Sequence, residues 1–328
     1  MRQRLDTERL ELTGSAAPLA EGLSLNGQFG LGAVSASATV LTFRTDARAS
    51  TQSAWFDRGG QLLETVGPAG NFSRPALSPD EKRLAFTDGA DIWLLDLARQ
   101  TPSRLTFEPT EDSSPVWSAD GTQIVYRSTE ERGRASIFGK SASGASTRQL
   151  LLTFPRNING PSQVSPDGKF LLYFATTAVD QVQDVYVKAL SGTEDPIAIV
   201  QTPFSDGEPQ FSPDGRWLAY MSNETGRREV YVQPFPPTGD RWRVSTAGGR
   251  QPLWRADGKE LFFVSDDRKF YAADIQTNAG FDFDTPRFLF DMRADVFNSR
   301  NSYVPSRDGQ RFLVNMLLRR RRRRSTWL

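Results

Sequence analysis

Six aspartates recur in one local setting, and they are the residues through which this chain would most readily do chemistry. Asp80, Asp120, Asp167, Asp214, Asp257 and Asp308 each stand in the frame small-x-Asp-Gly-x-x-aliphatic-x-aromatic, whose copies begin at Ser78, Ser118, Ser165, Ser212, Arg255 and Ser306. A degraded copy begins at Ser35, and single positions vary, with Glu81 in place of glycine and Arg255 in place of the small residue. A ring of carboxylates would suit acid–base work or metal binding. Glycosidase chemistry, however, needs two carboxyls within about 5 to 9.5 Å of each other, and nothing in the frame brings two copies together. Asp beside Gly is also what a tight turn itself requires, because Asp bonds the backbone ahead of it and Gly takes the positive φ. The six aspartates therefore read as turn residues. Asp266-Asp267 and Asp282-Phe283-Asp284 lack the ligand register of a calcium loop and read as solvated turns.

The chain contains neither His nor Cys. That excludes imidazole and thiolate metal sites, cysteine nucleophiles, disulfides and any Ser-His-Asp triad. With 40 basic and 39 acidic residues the net charge is +1, so no global field steers nucleic acid or an anionic membrane. The sequence assigns no catalytic residue, no metal ligand and no cofactor. The six arginines Arg319 to Arg324 form a like-charge block without interleaved aromatics, which reads as a disordered tail rather than a nucleic-acid site. As written, the chain shows no apolar leader and no run of about 18 apolar residues.

The frame implies the element that carries it. After the turn, Arg216-Trp217-Leu218-Ala219-Tyr220 alternates, setting Leu218 and Tyr220 on one face and Trp217 and Ala219 on the other, as in a strand. Successive frames are 43, 40, 47, 47, 43 and 51 residues apart on the Asp position, starting from Ser37. Repeats of about 40 to 45 residues with four short strands each are the signature of propeller blades. The expectation is an all-β propeller of four-stranded antiparallel blades, a single domain over 1–318, followed by the tail 319–328. Counting a full blade over 29–66, and letting residues 1–28 complete the last blade beside Arg311–Met316, gives seven blades, with six as the alternative. Trp93, Trp117, Trp217, Trp242 and Trp254 are expected to fill the wedges between blades.

On such a scaffold the segments entering the inner strands converge on the axis and differ from blade to blade. Arg74, Asp112, Asn159, Glu208, Gln251 and Asn301 occupy these places and are polar, of both signs and unlike shape. They are the candidate ligand-binding residues, for a protein, peptide or small polar ligand at the axial face of a monomer.

The frame Ser-Pro-Asp-Gly-x-x-Leu-Ala-Tyr, the third strand Asp91-Ile92-Trp93-Leu94 and the outer strand Arg104-Leu105-Thr106 resemble TolB-type propeller repeats. More narrowly, the order of Arg9 to Gly14, Trp55 to Gly60 and Pro75 to Asp80 looks like the C-terminal propeller of bacterial membrane-anchored serine/threonine kinases. That resemblance implies a non-enzymatic sensing or binding role outside the cytoplasm. The kinase motifs themselves are absent from this sequence, which leaves a propeller hydrolase or lyase, or a remnant of a receptor kinase, as alternatives.

Overall fold

Five copies of the frame close on the same hydrogen-bonded turn. The hydroxyls of Ser78, Ser118, Ser165, Ser212 and Ser306 donate to Oδ1 of the aspartate two residues on, at 2.5 to 2.6 Å. The same Oδ1 accepts a backbone N–H two residues further along, at 3.0 to 3.1 Å. Each serine Oγ in turn accepts the N–H that starts the next strand. In the remaining copy Arg255 grips Asp257 with a two-nitrogen fork, at 2.6 and 2.7 Å. The carboxylates are thus turn fasteners, spent on local geometry.

In the computed structural model of the chain, residues 51–318 are described except for 131–132, 134, 154–156, 177–181, 279, 293 and 295–300, together with short paired strands within 1–50. Two compact units are distinguished, Thr51–Arg319 and a second made of Met1–Ser50 with Arg320–Leu328. In the second, Arg2–Asp6 pairs with Glu11–Ala17, Leu25–Asn26 with Leu31–Gly32, and Val34–Ala36 with Leu41–Phe43, all antiparallel.

The larger unit consists of six four-stranded antiparallel blades, with no helices among the described residues. From inner to outer strand, blade 1 is Ser73–Leu77, Arg83–Asp88, Asp91–Asp96 and Thr101–Arg104. Blade 2 is Glu111–Trp117, Gln123–Thr129, Ala135–Ser141 and Gln149–Thr153. Blade 3 is Asn157–Val164, Phe170–Thr176, Gln183–Ala189 and Ile197–Val200. Blade 4 is Asp206–Phe211, Trp217–Ser222, Glu229–Pro234 and Trp242–Arg243. Blade 5 is Arg250–Trp254, Glu260–Val264, Lys269–Gln276 and Arg287–Asp291, with Asp282–Phe283 paired to the end of its third strand.

Blade 6 corrects the count of seven. Its inner strands are Tyr303–Pro305 and Arg311–Leu317, and its outer strands are Thr51–Asp57 and Leu62–Gly70. Arg311 faces Asp57 and Leu317 faces Thr51 across the antiparallel pair. The ring does close by joining an early and a late segment in one sheet, but the early segment is 51–70, not 1–28. The two strands assigned to a separate blade over 29–66 are those that finish the last one. The six intact frames equal the six blades, and the degraded copy at Ser35 contributes none. Of the segment expected beside Arg311–Met316, residues 18–21 lie outside the described residues, and so does the arginine tail.

Six clusters of buried apolar residues fill the six gaps between neighbouring blades. Alternation along each middle strand decides which gap a side chain enters: Leu218 and Tyr220 pack toward blade 3, Trp217 and Ala219 toward blade 5. Trp117 packs in the gap between blades 1 and 2 and its Nε1 donates to Ala76 O at 2.9 Å, so it satisfies its polar atom across that gap. Trp217 and Trp254 share the gap between blades 4 and 5. Trp242 and Trp93 pack against the buried clusters from partly exposed positions.

Candidate functional site

Five inner strands carry the same irregularity, and the segment just before the sixth repeats its backbone conformation. Where the strand nears the axis, one residue takes positive φ: Arg74 (56°), Ser114 (58°), Gly160 (135°), Glu208 (54°), Gln251 (54°) and Asn301 (52°). In the first five it precedes a proline, and the pairing with the second strand shifts register beside it. Proline has no N–H to give the ladder, so a bulge is where an inner strand accommodates it. A non-glycine residue held at positive φ is strained by about 1 to 3 kcal/mol. Repetition around the ring places these six residues in one layer about the axis.

Four of the six residues expected from sequence, Arg74, Glu208, Gln251 and Asn301, belong to this layer. In the other two blades the expected residues, Asp112 and Asn159, lie two positions before Ser114 and one before Gly160. Asp112 is fully buried and accepts from Ser128 Oγ (2.6 Å) across its own sheet and from Thr110 Oγ1 (2.9 Å) just ahead of its strand. Burial pushes its carboxyl up, against the pull of those hydroxyls. Asn159 donates to Thr176 Oγ1 at 2.8 Å across its sheet. The missed signal is in the sequence: a residue followed by proline four or five positions ahead of the frame, as in Ser114-Pro115 and Gly160-Pro161.

Within the layer the side chains are tied differently. Glu208 is engaged at both oxygens, by Arg250 Nη2 (2.8 Å) and by Gln251 N (2.7 Å). Gln251 is buried and its Oε1 accepts from Ser302 N (2.8 Å) and Ser302 Oγ (2.7 Å), joining blades 5 and 6. Arg74 is half-buried and donates from Nη1 to Ser114 Oγ at 2.9 Å. Asn301 is half-buried. Arg74, Ser114, Glu208 and Asn301 line a constriction of only about 20 Å³.

The roomier space lies where the inner strands run into the frames. A cavity of about 550 Å³ is lined from all six blades, including Leu77, Trp117, Val164, Phe211, Trp254 and Pro305, the last residue of each inner strand. Its rim is formed by the second position of each frame: Pro79, Ala119, Pro166, Pro213, Ala256 and Arg307. Arg307 is the only charged member of that rim and its Nη1 donates to Pro79 O at 3.0 Å. Val116, Ser162, Gln210 and Asn301 line both the cavity and the constriction, so the two are contiguous. A groove of about 630 Å³ between blades 2 and 3 opens beside the rim and shares Ala119 and Pro166 with it. The frame therefore has a second role that sequence reasoning missed, since its second position, proline in three of the six copies, builds the rim as well as the turn.

Among the described residues no cluster of acidic side chains has the arrangement of a metal site. Asp267 is engaged by Ser265 and by Lys269 Nζ at 2.7 Å. No described helix is long and apolar enough to cross a membrane.

Comparison with known proteins agrees with this geometry. Residues 60–182 match the family described as TolB beta propeller domain, PD40. An uncharacterized protein of Agrobacterium fabrum, Atu1656, is 28% identical over 236 residues, which are 69% of this chain and 72% of that protein. The uncharacterized peptidase YuxL of Bacillus subtilis is 28% identical over 194 residues, 46% of this chain but only 29% of the relative's length. Among solved structures, the putative TolB from Agrobacterium tumefaciens superposes with a TM-score of 0.66 at 22% identity, over 82% of this chain and 99% of that one. That last likeness shows the fold.

Proposed function

We propose that this TolB-like propeller is a binding module that takes a protein segment, peptide or small polar ligand into its axial channel. The observation that carries the reading is the cavity of about 550 Å³ to which all six inner strands contribute. Its size falls within the roughly 300 to 1,000 Å³ of small-ligand sites, and it combines apolar walls with a few polar groups, as such sites do. A uniform scaffold with a different side chain per blade at the constriction fits recognition. A sensor role of the kind implied by kinase-linked propellers is one form of this reading.

The rival reading is a hydrolase or lyase, and relatives of this chain include a protein named as a peptidase. Such chemistry needs an acid or base free to reach the substrate. The carboxylate at the constriction, Glu208, has both oxygens occupied, and the frame aspartates are held in their turns. These engagements favour binding over turnover.

The test is a thermal-shift screen of short peptides and small polar metabolites against the wild type and the double variant Ala119→Trp, Ala256→Trp. Both alanines are exposed on the rim, so bulk there should leave unfolding within about 0.5 kcal/mol of wild type. Ligands that stabilise the wild type should lose their effect on the plugged protein. Ligands that stabilise both equally would place binding away from the channel, and turnover surviving purification would favour the enzyme.

A further inference from the structure

The constriction at the bottom of the channel holds a cation that is bonded to no carboxylate among the described residues. Arg74 is brought there by the bulge in blade 1, and its one hydrogen bond at a described residue goes to the Ser114 hydroxyl, a neutral acceptor. Among the described residues no Asp or Glu forms an ion pair with it. Its charged neighbour is instead another guanidinium, Arg127, from the second strand of blade 2, where the register sets it opposite Ser113. Burial first, and then the like charge of Arg127, make Arg74 a weaker base than an ordinary arginine, the signature of a cation short of counter-charge. The carboxylate lining the same constriction does not relieve this, because Glu208 is shared between Arg250 and the Gln251 amide.

We infer that the constriction is an anion site and that Arg74 receives the carboxylate of a ligand whose body occupies the wide cavity above it. This rests on the reading of the channel as a binding site and adds the chemical class. A guanidinium presents a planar fork of N–H donors that matches a carboxylate in two parallel bonds. The space of about 20 Å³ has room for little more than one small polar group. The adjoining 550 Å³, walled by Trp117, Phe211 and Trp254, takes the apolar or extended remainder. Ser114, which already holds one arm of Arg74, keeps the fork oriented in the lumen. A peptide ending in a free carboxylate and a small organic acid share this chemistry, and experiment separates them.

The experiment is calorimetric titration of the full chain with four probes: trialanine as the free acid, trialanine amide, glutarate and inorganic phosphate. The wild type should bind at least one carboxylate probe, more weakly as salt rises, and should not bind the amide. Trialanine acid alone would identify a chain terminus as the source, and glutarate alone a small acid. Arg74→Gln should weaken that probe at least tenfold, and Arg74→Lys, which keeps the charge but loses the fork, by an intermediate factor. Replacing Arg74 removes a like-charge neighbour of Arg127, so the variants should fold, and the salt dependence of the wild type stands even if one does not. Equal binding of acid and amide, unchanged binding by Arg74→Gln, binding of phosphate alone, or no carboxylate binding at millimolar concentration would overturn the inference. Uncharged ligands that still bind the wild type and not the plugged rim would then leave the channel reading standing.

Discussion

Replacing Glu260 by glutamine should loosen the ring at its closure. Glu260 opens the second strand of blade 5 and is 2% exposed, yet it gathers three guanidinium groups. Arg58, just past the third strand of blade 6, grips it at 2.7 and 3.0 Å and also donates to Gly309 O at 2.8 Å. Arg255 reaches Oε2 at 2.7 Å, and Arg287 bonds Oε1. Glutamine keeps the shape and removes the charge, leaving cations clustered around a neutral group. Breaking a buried ion pair by removing one partner destabilises by about 3 to 5 kcal/mol. Two of the three arginines have a second carboxylate, Asp257 for Arg255 and Asp274 for Arg287, and all three are partly wet, at 20 to 46% exposure. Solvent and these alternates screen part of the loss, which places the expected change at the lower end, about 3 kcal/mol. For a domain of this size that is about 6 to 12 °C in melting temperature. Urea and thermal unfolding of Glu260→Gln, Arg58→Gln and the double variant would measure it, with a coupling energy of at least about 0.5 kcal/mol between the two sites. A loss below about 1 kcal/mol for Glu260→Gln, or additive effects, would refute the argument that this cluster fastens blade 6 to blade 5.

Two further outcomes follow from the same geometry. A chain starting at Thr51 retains every strand of the six blades and should fold and melt cooperatively, whereas one starting at Asn71 loses the outer half of blade 6 together with Ala54 and Phe56 of its buried cluster. That shorter chain leaves two strands and an open edge and should aggregate; calorimetry and light scattering on both compare them directly, and a monomeric 71–328 with unchanged melting would contradict the observed closure. Stability should also fall steeply below about pH 4, because the Ser hydroxyls hold Asp80, Asp120, Asp167 and Asp308 below the usual carboxylate range. The unfolded chain binds protons first, so the contribution is complete above about pH 4 and lost as pH drops through the lowered folded values, while buried Asp112 and Asp206, pushed up by burial, act in the opposite sense just above that range. Melting between pH 2.5 and 5.5 should show a shallower acid loss for Asp167→Asn than for wild type, and parallel curves would count against the turn aspartates as its source.

The sequence made the blade legible because the blade's turn is local chemistry. A serine hydroxyl, an aspartate oxygen and a residue at positive φ lie within five positions, and the following alternation sorts Leu218 from Trp217 into different gaps without any distant information. Blade number was less legible. Thr51–Asp57 and Leu62–Gly70 read the same whether they belong to a blade of their own or complete one begun some 250 residues later, since a strand's sequence does not name its sheet. The candidate site was visible in part for a related reason. Side-chain type directed attention to Asp112, whose polarity serves the interior of its sheet, and away from Ser114, whose importance lies in backbone conformation. The cavity at the frame end went unseen because the frame was read for the turn it closes and not for the rim its second position builds.

Whether the channel is the binding site is decided by the structure of the protein bound to the most strongly stabilising ligand of the screen. That ligand is expected inside the ring, its body against Trp117, Phe211 and Trp254 and its anionic end within hydrogen-bonding distance of Arg74. A ligand found instead on an outer strand, or in the groove between blades 2 and 3 with the channel empty, would contradict it.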